Sequence, residues 1–285
     1  METMTRPNES SGSTCLYLAF ELGQRAWKLG FSVGMGQRPR LCQVAPGALG
    51  ALQQQIARAK RWAGLPAEAP VISCYEAGRD GFWLHRYLLA HGITNHVVDS
   101  SSIEVNRRAR RAKSDRLDLY GLLSLLTRYV QGDRRVWRVV RVPTVAEEDA
   151  RQLPRSLEAL TADRTRLINR LKGLLITQGI TLSIDKDFLE HLKTAQIWDG
   201  TPLPSALADR LARDWVQLRQ LEKQLKELKA ARTRCQPDPA TPTGRALAQL
   251  QTLRAIGPTG AWTLATEIFG WRQIRNGRQL GALVG

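Results

Sequence analysis

The sequence predicts an α/β plus all-α fold, in which a mixed sheet with flanking helices precedes a long helical coiled-coil region. Short apolar runs alternate with amphipathic segments in the first half of the chain, as in α/β proteins. Leucines then recur every seven residues, and two glycines between apolar helical segments indicate the start of a helix-hairpin-helix domain. The predicted divisions are a disordered tail at 1–14, an α/β domain at 15–143, a helical region at 144–235, and a linker with a partial C-terminal domain at 236–285.

Each element of the α/β domain has a local signal. Apolar runs bounded by turn residues predict strands, and apolar residues spaced by three or four predict helices. The predicted order is strand 15–22, strand 26–33, helix 48–63, a strand that ends at Glu76, helix 80–91, strand 95–99, and a helix from Asp115 to about 129.

Two leucine repeats predict the helical region. The first runs through Leu153, Leu160, Leu167 and Leu174, and the second occupies 204–232. Arg164 and Asp214 interrupt the interleaved positions, so neither repeat is a perfect zipper. The pattern fits an antiparallel hairpin within one chain as well as a coiled coil between chains.

Charge restricts the class of partner. The net charge is +16 and the pI is about 10.4, which favours nucleic acid or an anionic membrane surface. No apolar stretch approaches the roughly 20 residues that span a bilayer, and the polar segment 1–14 lacks the apolar core of a signal peptide. We therefore expect a cytoplasmic protein that binds nucleic acid and has no membrane partner.

Four acids stand out within this basic chain. Asp115 and Asp118 are three apart and share a helix face, Glu76 ends a strand, and Glu21 lies in the first apolar strand. Acids repel phosphates unless a divalent cation lies between them, so these carboxylates predict a catalytic Mg²⁺ site on a nucleic-acid backbone. The alternatives are a solvent-facing Glu21 and two aspartates that stabilise a helix N-terminus.

Basic residues and glycines predict the nucleic-acid contacts. The basic residues form a run directly before and within the last helix of the α/β domain, where they would bind the phosphate backbone. This set is Arg107, Arg108, Arg110, Arg111, Lys113 and Arg116. Gly257 and Gly260 would let helix amides approach a second phosphate. Trp137, among arginines, is a candidate for base stacking, with a core position as the alternative.

The segments Tyr75-Glu76-Ala77-Gly78 and Lys113-Ser114-Asp115-Arg116-Leu117-Asp118 resemble the DEDD transposases, the Piv-like insertion-sequence recombinases. The resemblance extends over the chain from about residue 15. It implies a RuvC-like N-terminal domain of RNase H fold, a coiled-coil middle, and DNA strand exchange with Mg²⁺. It also implies a noncoding bridge RNA that pairs with donor and target DNA, and a homo-oligomer, a dimer or tetramer.

Two departures from that family pattern bear on activity. Glu21 occupies the place of the family's first Asp, with one methylene more, while Glu76, Asp115 and Asp118 match the other three acids. The family's nucleophilic serine lies in the C-terminal domain, but no serine follows Ser205 in this sequence. The resemblance therefore implies a chain truncated before that serine. The alternative functions are a RuvC-like metal-dependent nuclease on branched DNA and a non-catalytic RNA/DNA-binding protein.

Overall fold

The computed structural model describes residues 15–79, 81–103, 115–274 and 276–284, without the side chains of 115–117 and 282–284. The predicted tail at 1–14 lies outside the described residues. The chain divides after Val142 into two compact units. The finer division of the second unit, at 235/236, stays a prediction. No helix in the described ranges is long and apolar enough to cross a bilayer.

The first unit is a five-stranded mixed sheet with helices on its faces. Its elements are β1 (Leu16–Leu22), β2 (Trp27–Ser32), β3 (Arg40–Val44), α1 (Leu49–Trp62), β4 (Val71–Glu76), α2 (Trp83–Ala90), β5 (Thr94–Val98), a 3₁₀ turn (Ser100–Ser102) and α3 (Asp115–Val130). The strand order is β3-β2-β1-β4-β5, in which β1 pairs antiparallel with β2 and parallel with β4, and β4 pairs parallel with β5. This mixed sheet confirms the predicted α/β class and is consistent with an RNase H-like fold. The sequence analysis missed β3.

Alternation along β1 assigns its side chains to the two sheet faces. Leu18 and Phe20 pack on the face that α1 and α2 cover. Tyr17 and Ala19 pack on the opposite face with Leu119 of α3. Because successive strand side chains point to opposite faces, Glu21 lies on the α3 face.

Small residues let α3 approach the sheet closely. Ala19 of β1 pairs with Gly30 of β2 beneath the helix. A Cβ added at Gly30 would lie 2.9 Å from Leu123 Cδ1 and 3.6 Å from Leu119 Cβ. A larger residue at Gly30 would therefore displace α3, which carries two of the predicted catalytic acids.

The second unit is helical. Its elements are α4 (Val145–Asp149), α5 (Gln152–Ile176), α6 (Phe188–Thr194), α7 (Ser205–Arg234), α8 (Pro242–Gln251), α9 (Pro258–Leu264), a π-helical segment (Ala265–Phe269) and α10 (Gly277–Val284). The long helices α5 and α7 pack against each other through the buried leucines of the two repeats, among them Leu167, Leu171, Leu211 and Leu218.

Ion pairs fix the antiparallel direction of α5 and α7. Arg164 binds Glu222 at 3.1 Å, and Arg170 binds Asp214 at 2.8 Å. Arg164 and Asp214, the two residues that interrupt the leucine repeats, are thus each neutralised across the hairpin. Of the two arrangements that the leucine pattern allowed, the structure has the hairpin within one chain.

The C-terminal segment packs tightly around the π-helical turn. A Cβ at Gly270 would lie 2.2 Å from Thr243 Oγ1 and 2.7 Å from the carbonyl oxygen of Ala265. Glu267, in the π-helical turn, accepts hydrogen bonds from Arg151 Nε at 2.8 Å and Arg155 Nε at 2.6 Å. Burial alone would raise the pKa of Glu267, but these two arginines outweigh it, and the pKa lies below its usual value.

Candidate catalytic site

Glu21 is the most buried of the three predicted catalytic acids whose side chains are described. It is the last residue but one of β1 and pairs with Lys28 on β2, so the two side chains share the α3 face. Glu21 is partly exposed, but its Oε2 is buried and has no hydrogen-bond partner. An unpaired carboxylate oxygen inside a protein is costly, and a bound cation would offset that cost.

Glu76 lies beside Glu21 at the carboxyl ends of the parallel strands. Phe20 of β1 pairs with Tyr75 of β4, and each acid is the next residue along its strand. Neighbouring strands are about 4.8 Å apart, so both backbones deliver their carboxylates to one edge of the sheet. Glu76 is exposed at that edge.

Asp118 completes an acidic cluster from the first turn of α3. Its side chain is exposed. Burial raises the pKa of Glu21 above its ordinary value; the Lys28 ammonium opposes this effect, while the carboxylates of Asp118 and Glu76 add to it. The structure therefore brings Glu76 and Asp118 each within electrostatic reach of Glu21. Asp115 begins α3, but its side chain lies outside the described residues.

The donor set suits a hard divalent cation, although the cluster is not a closed coordination shell. Carboxylate oxygens are the ligands that Mg²⁺ takes, and it needs only one or two of them beside substrate oxygens and water. Among side chains that the structure describes, no three His, Cys, Asp or Glu residues lie close enough together to hold a metal ion. The buried, unpartnered oxygen of Glu21 is the observation that fits such a cation.

The predicted phosphate-binding residues are only partly described. Arg107, Arg108, Arg110, Arg111 and Lys113 lie outside the described residues, as does the side chain of Arg116. In the second unit, Gly257 caps the N-terminus of α9 and Gly260 lies in its first turn; both are exposed. Their role in phosphate binding stays a prediction.

Sequence reasoning missed a fixed arginine at the carboxyl edge of the sheet. Asp99 directly follows β5, and its Oδ1 accepts hydrogen bonds from Ser101 N at 3.0 Å and Ser101 Oγ at 2.7 Å. Its Oδ2 lies 3.1 Å from Arg138 Nη2, and its backbone amide donates to the Arg138 carbonyl at 2.9 Å. Arg138 comes 40 residues after the end of β5, and no local sequence pattern distinguishes it from the other arginines nearby.

Trp137 belongs to the core. It is 2% exposed and packs beside Tyr129, with ring centroids 5.7 Å apart. Of the two alternatives for Trp137, the structure has the core position, because the apolar cluster on the α3 face buries the ring. Trp137 and its neighbour Val136 are both buried, whereas Arg135 and Arg138 on either side of this pair are exposed.

Comparisons with known proteins place the chain in a broader group. No protein-family model matches it. A curated protein of Sinorhizobium fredii, named "Putative transposase y4rJ", is 36% identical over 284 residues, which cover 95% of this chain and 71% of the relative.

Proposed function

This chain belongs to the same transposase family as its Sinorhizobium fredii relative, and we propose that it cleaves and exchanges DNA strands in a Mg²⁺-dependent reaction. The observation that carries the proposal is the buried Oε2 of Glu21, which lacks a hydrogen-bond partner and faces the field of two further carboxylates. Such an arrangement destabilises the fold, so its presence favours a functional role.

The acids at the sheet edge would bind the cation. Glu21, Glu76, Asp118 and Asp115 would hold Mg²⁺, which polarises the scissile phosphate and neutralises charge that develops on it. Glu21 and Glu76 come from paired strands, so the sheet fixes their spacing. Asp118 comes from a helix that packs on the same sheet, which positions the third carboxylate without a loop.

The surrounding cations would bind the DNA backbone. Arg107, Arg108, Arg110, Arg111, Lys113 and Arg116 precede or open α3, so they would follow the strand that enters the acidic cluster. Gly257 and Gly260 would add a second phosphate contact through exposed amides of α9.

The resemblance to the Piv-like DEDD recombinases supports a finer proposal. In that subtype a noncoding bridge RNA would pair with donor and target DNA, and two or four copies of the chain would hold the two duplexes. The net charge of +16 is compatible with simultaneous DNA and RNA binding. Whether RNA is required is a separate outcome of the experiment below.

The test is cleavage of supercoiled DNA that carries the ends of the insertion element, with and without the element's noncoding RNA. We expect Mg²⁺-dependent products that fall at least a hundredfold, about 2.7 kcal/mol of barrier, in Asp118→Asn. Asp209→Asn, at an exposed acid on α7, serves as the matched control and should cleave like the wild type.

Three results would redirect the proposal. Undiminished cleavage by Asp118→Asn, or cleavage in excess EDTA, would exclude the acidic cluster. Protein-free cleaved ends from the 285-residue chain would favour hydrolysis, the RuvC-like nuclease activity. DNA that becomes covalently attached only to a version extended through the family's C-terminal serine would favour strand exchange. Equal activity without RNA would exclude the bridge-RNA subtype while leaving the transposase proposal intact.

A further inference from the structure

A groove in the first unit lies between the β2–β3 turn and α3. It has a volume of about 460 Å³. The described lining residues come from the end of β2, the β2–β3 turn and α3, and include Met35, Gln37, Arg38, Tyr120, Leu123 and Ser124. We infer that this groove binds one unstacked nucleotide of the nucleic-acid strand that the acidic cluster engages.

The sequence fixes the shape of the turn that walls the groove. Buried Ser32 donates its hydroxyl to the carbonyl of Gly34 at 2.9 Å and accepts from the Gly34 amide at 3.2 Å. Gly36 has a φ of +82°, a conformation that side-chain-bearing residues rarely adopt. These hydrogen bonds fix the start of the turn against the end of β2, and Gly36 allows the turn its backbone conformation.

The lining has the chemistry of a nucleotide site. Leu123 and Met35 supply apolar surface and Tyr120 supplies an aromatic ring for a base, while Gln37 carries an amide that matches a base edge. Arg38 is the charged residue of the lining, is exposed, and has no ion-pair partner in the described part of the chain. Among the described lining residues none is acidic, so Arg38 would attract a phosphate there. The volume lies in the range of small-ligand pockets.

The groove and the acidic cluster lie on the same face of the sheet. Lys28, Gly30 and Ser32 alternate onto the α3 face of β2, opposite Glu21, Ala19 and Tyr17 of β1. Ser32 is four residues from Lys28, which corresponds to about 13 Å along a strand. That span equals about four steps of a stacked nucleic-acid strand. A strand whose phosphate reaches the acids can thus place a nearby base in the groove.

The inference depends on the proposed function in one respect, which is that the ligand is a nucleic acid. The experiment uses the full chain and a 20-nucleotide single strand, as DNA and as RNA, with 2-aminopurine moved through successive positions. We expect a change of emission on binding at one position, which Ser124→Trp removes by filling the groove. Arg38→Ala should lower the slope of log K against log salt by about 0.7, the value for one phosphate contact on a single strand. Arg61→Ala, at an exposed arginine on α1, should leave the slope unchanged.

Each outcome decides between the two proposals. A position-specific signal with RNA alone assigns the groove to a guide, and one with DNA alone assigns it to the substrate; both support the inference. Binding with equal emission changes in wild type and Ser124→Trp would overturn the inference and leave the proposed function standing. Failure of the wild type to bind either strand would overturn both. If Ser124→Trp does not fold, Met35→Asp at the rim replaces it, because a carboxylate there repels the phosphate.

Discussion

Replacing Glu21 by Gln should make the first unit more stable in the absence of metal. Burial, with Asp118 and Glu76, raises the pKa of Glu21 against the opposing effect of Lys28, so the folded state disfavours its ionised form. Gln carries no charge, so it avoids the desolvation and the repulsion that disfavour the carboxylate. Because Glu21 is partly exposed, solvent screens these effects, and we expect a gain of at most about 1 kcal/mol at pH 7. For a unit of this size that raises the melting temperature by about 3–5 °C.

The stability that Glu21→Gln gains over wild type should increase as the pH rises. Because the folded-state pKa of Glu21 is raised, the folded protein holds a proton that the unfolded chain releases, and wild-type stability falls as the pH rises above the ordinary glutamate pKa of 4.5. The difference between Glu21→Gln and wild type should therefore be small below pH 4.5 and grow toward neutrality. Scanning calorimetry of the full chain between pH 4 and 8 measures it, and resolves the two units if they melt separately.

Magnesium should reverse the order of stability. A cation at ten times its dissociation constant adds about 1.4 kcal/mol to the state that binds it. Wild type should gain from Mg²⁺, whereas Glu21→Gln should gain much less. Glu68→Gln, at an exposed acid outside the cluster, should behave like wild type throughout. A Glu21→Gln protein that is less stable than wild type at pH 7, or that gains equally from Mg²⁺, would refute the reasoning.

Four further substitutions test the packing that positions the site and the second unit. Gly30→Val should cost about 1–3 kcal/mol and reduce cleavage, because its side chain would collide with α3; thermal melting and the plasmid assay measure the two effects. Gly270→Ala should cost a similar amount because backbone and hydroxyl atoms already fill the space of its Cβ, whereas Gly173→Ala, open and helical, should stabilise by about 0.5–1 kcal/mol in the same urea titration. Glu267→Gln should cost about 2–3 kcal/mol because Arg151 stays buried without its anion. Since the pKa of Glu267 is lowered, wild-type stability should fall as the pH drops below 4.5, and that fall should be absent in the variant.

The strands at the centre of the sheet could be predicted because they are largely apolar runs bounded by turn residues. In β1, apolar residues face both layers of helices until Glu21, so the run is recognisable without a partner strand. β3 has no such signal. It is a short edge strand that begins at Arg40 after a glycine turn, and only its pairing with β2 makes it a strand.

The candidate site was predictable in its residue types but not in its distances. Glu76 and Glu21 come together because β4 pairs in parallel with β1, and no local sequence pattern predicts that pairing. Asp118 reaches the same edge only because Ala19 and Gly30 let α3 lie close to the sheet. The same limit applies to Arg164, which interrupts a leucine repeat in the sequence and pairs with an acid from another helix in the fold.

The position of β1 between β2 and β4 has a consequence for how the chain is made. The pairings among β1, β2 and β3 are local in sequence, so these strands can pair once they leave the ribosome. The other edge of β1 stays unpaired until β4 has been synthesised, because Leu16 pairs with Val71. At about 5–20 residues per second, that edge stays open for on the order of a few seconds of synthesis. During that interval the most apolar strand of the unit is available to other nascent chains. Slow translation between β3 and β4 should therefore increase aggregation, whereas slowing after Glu76 should not.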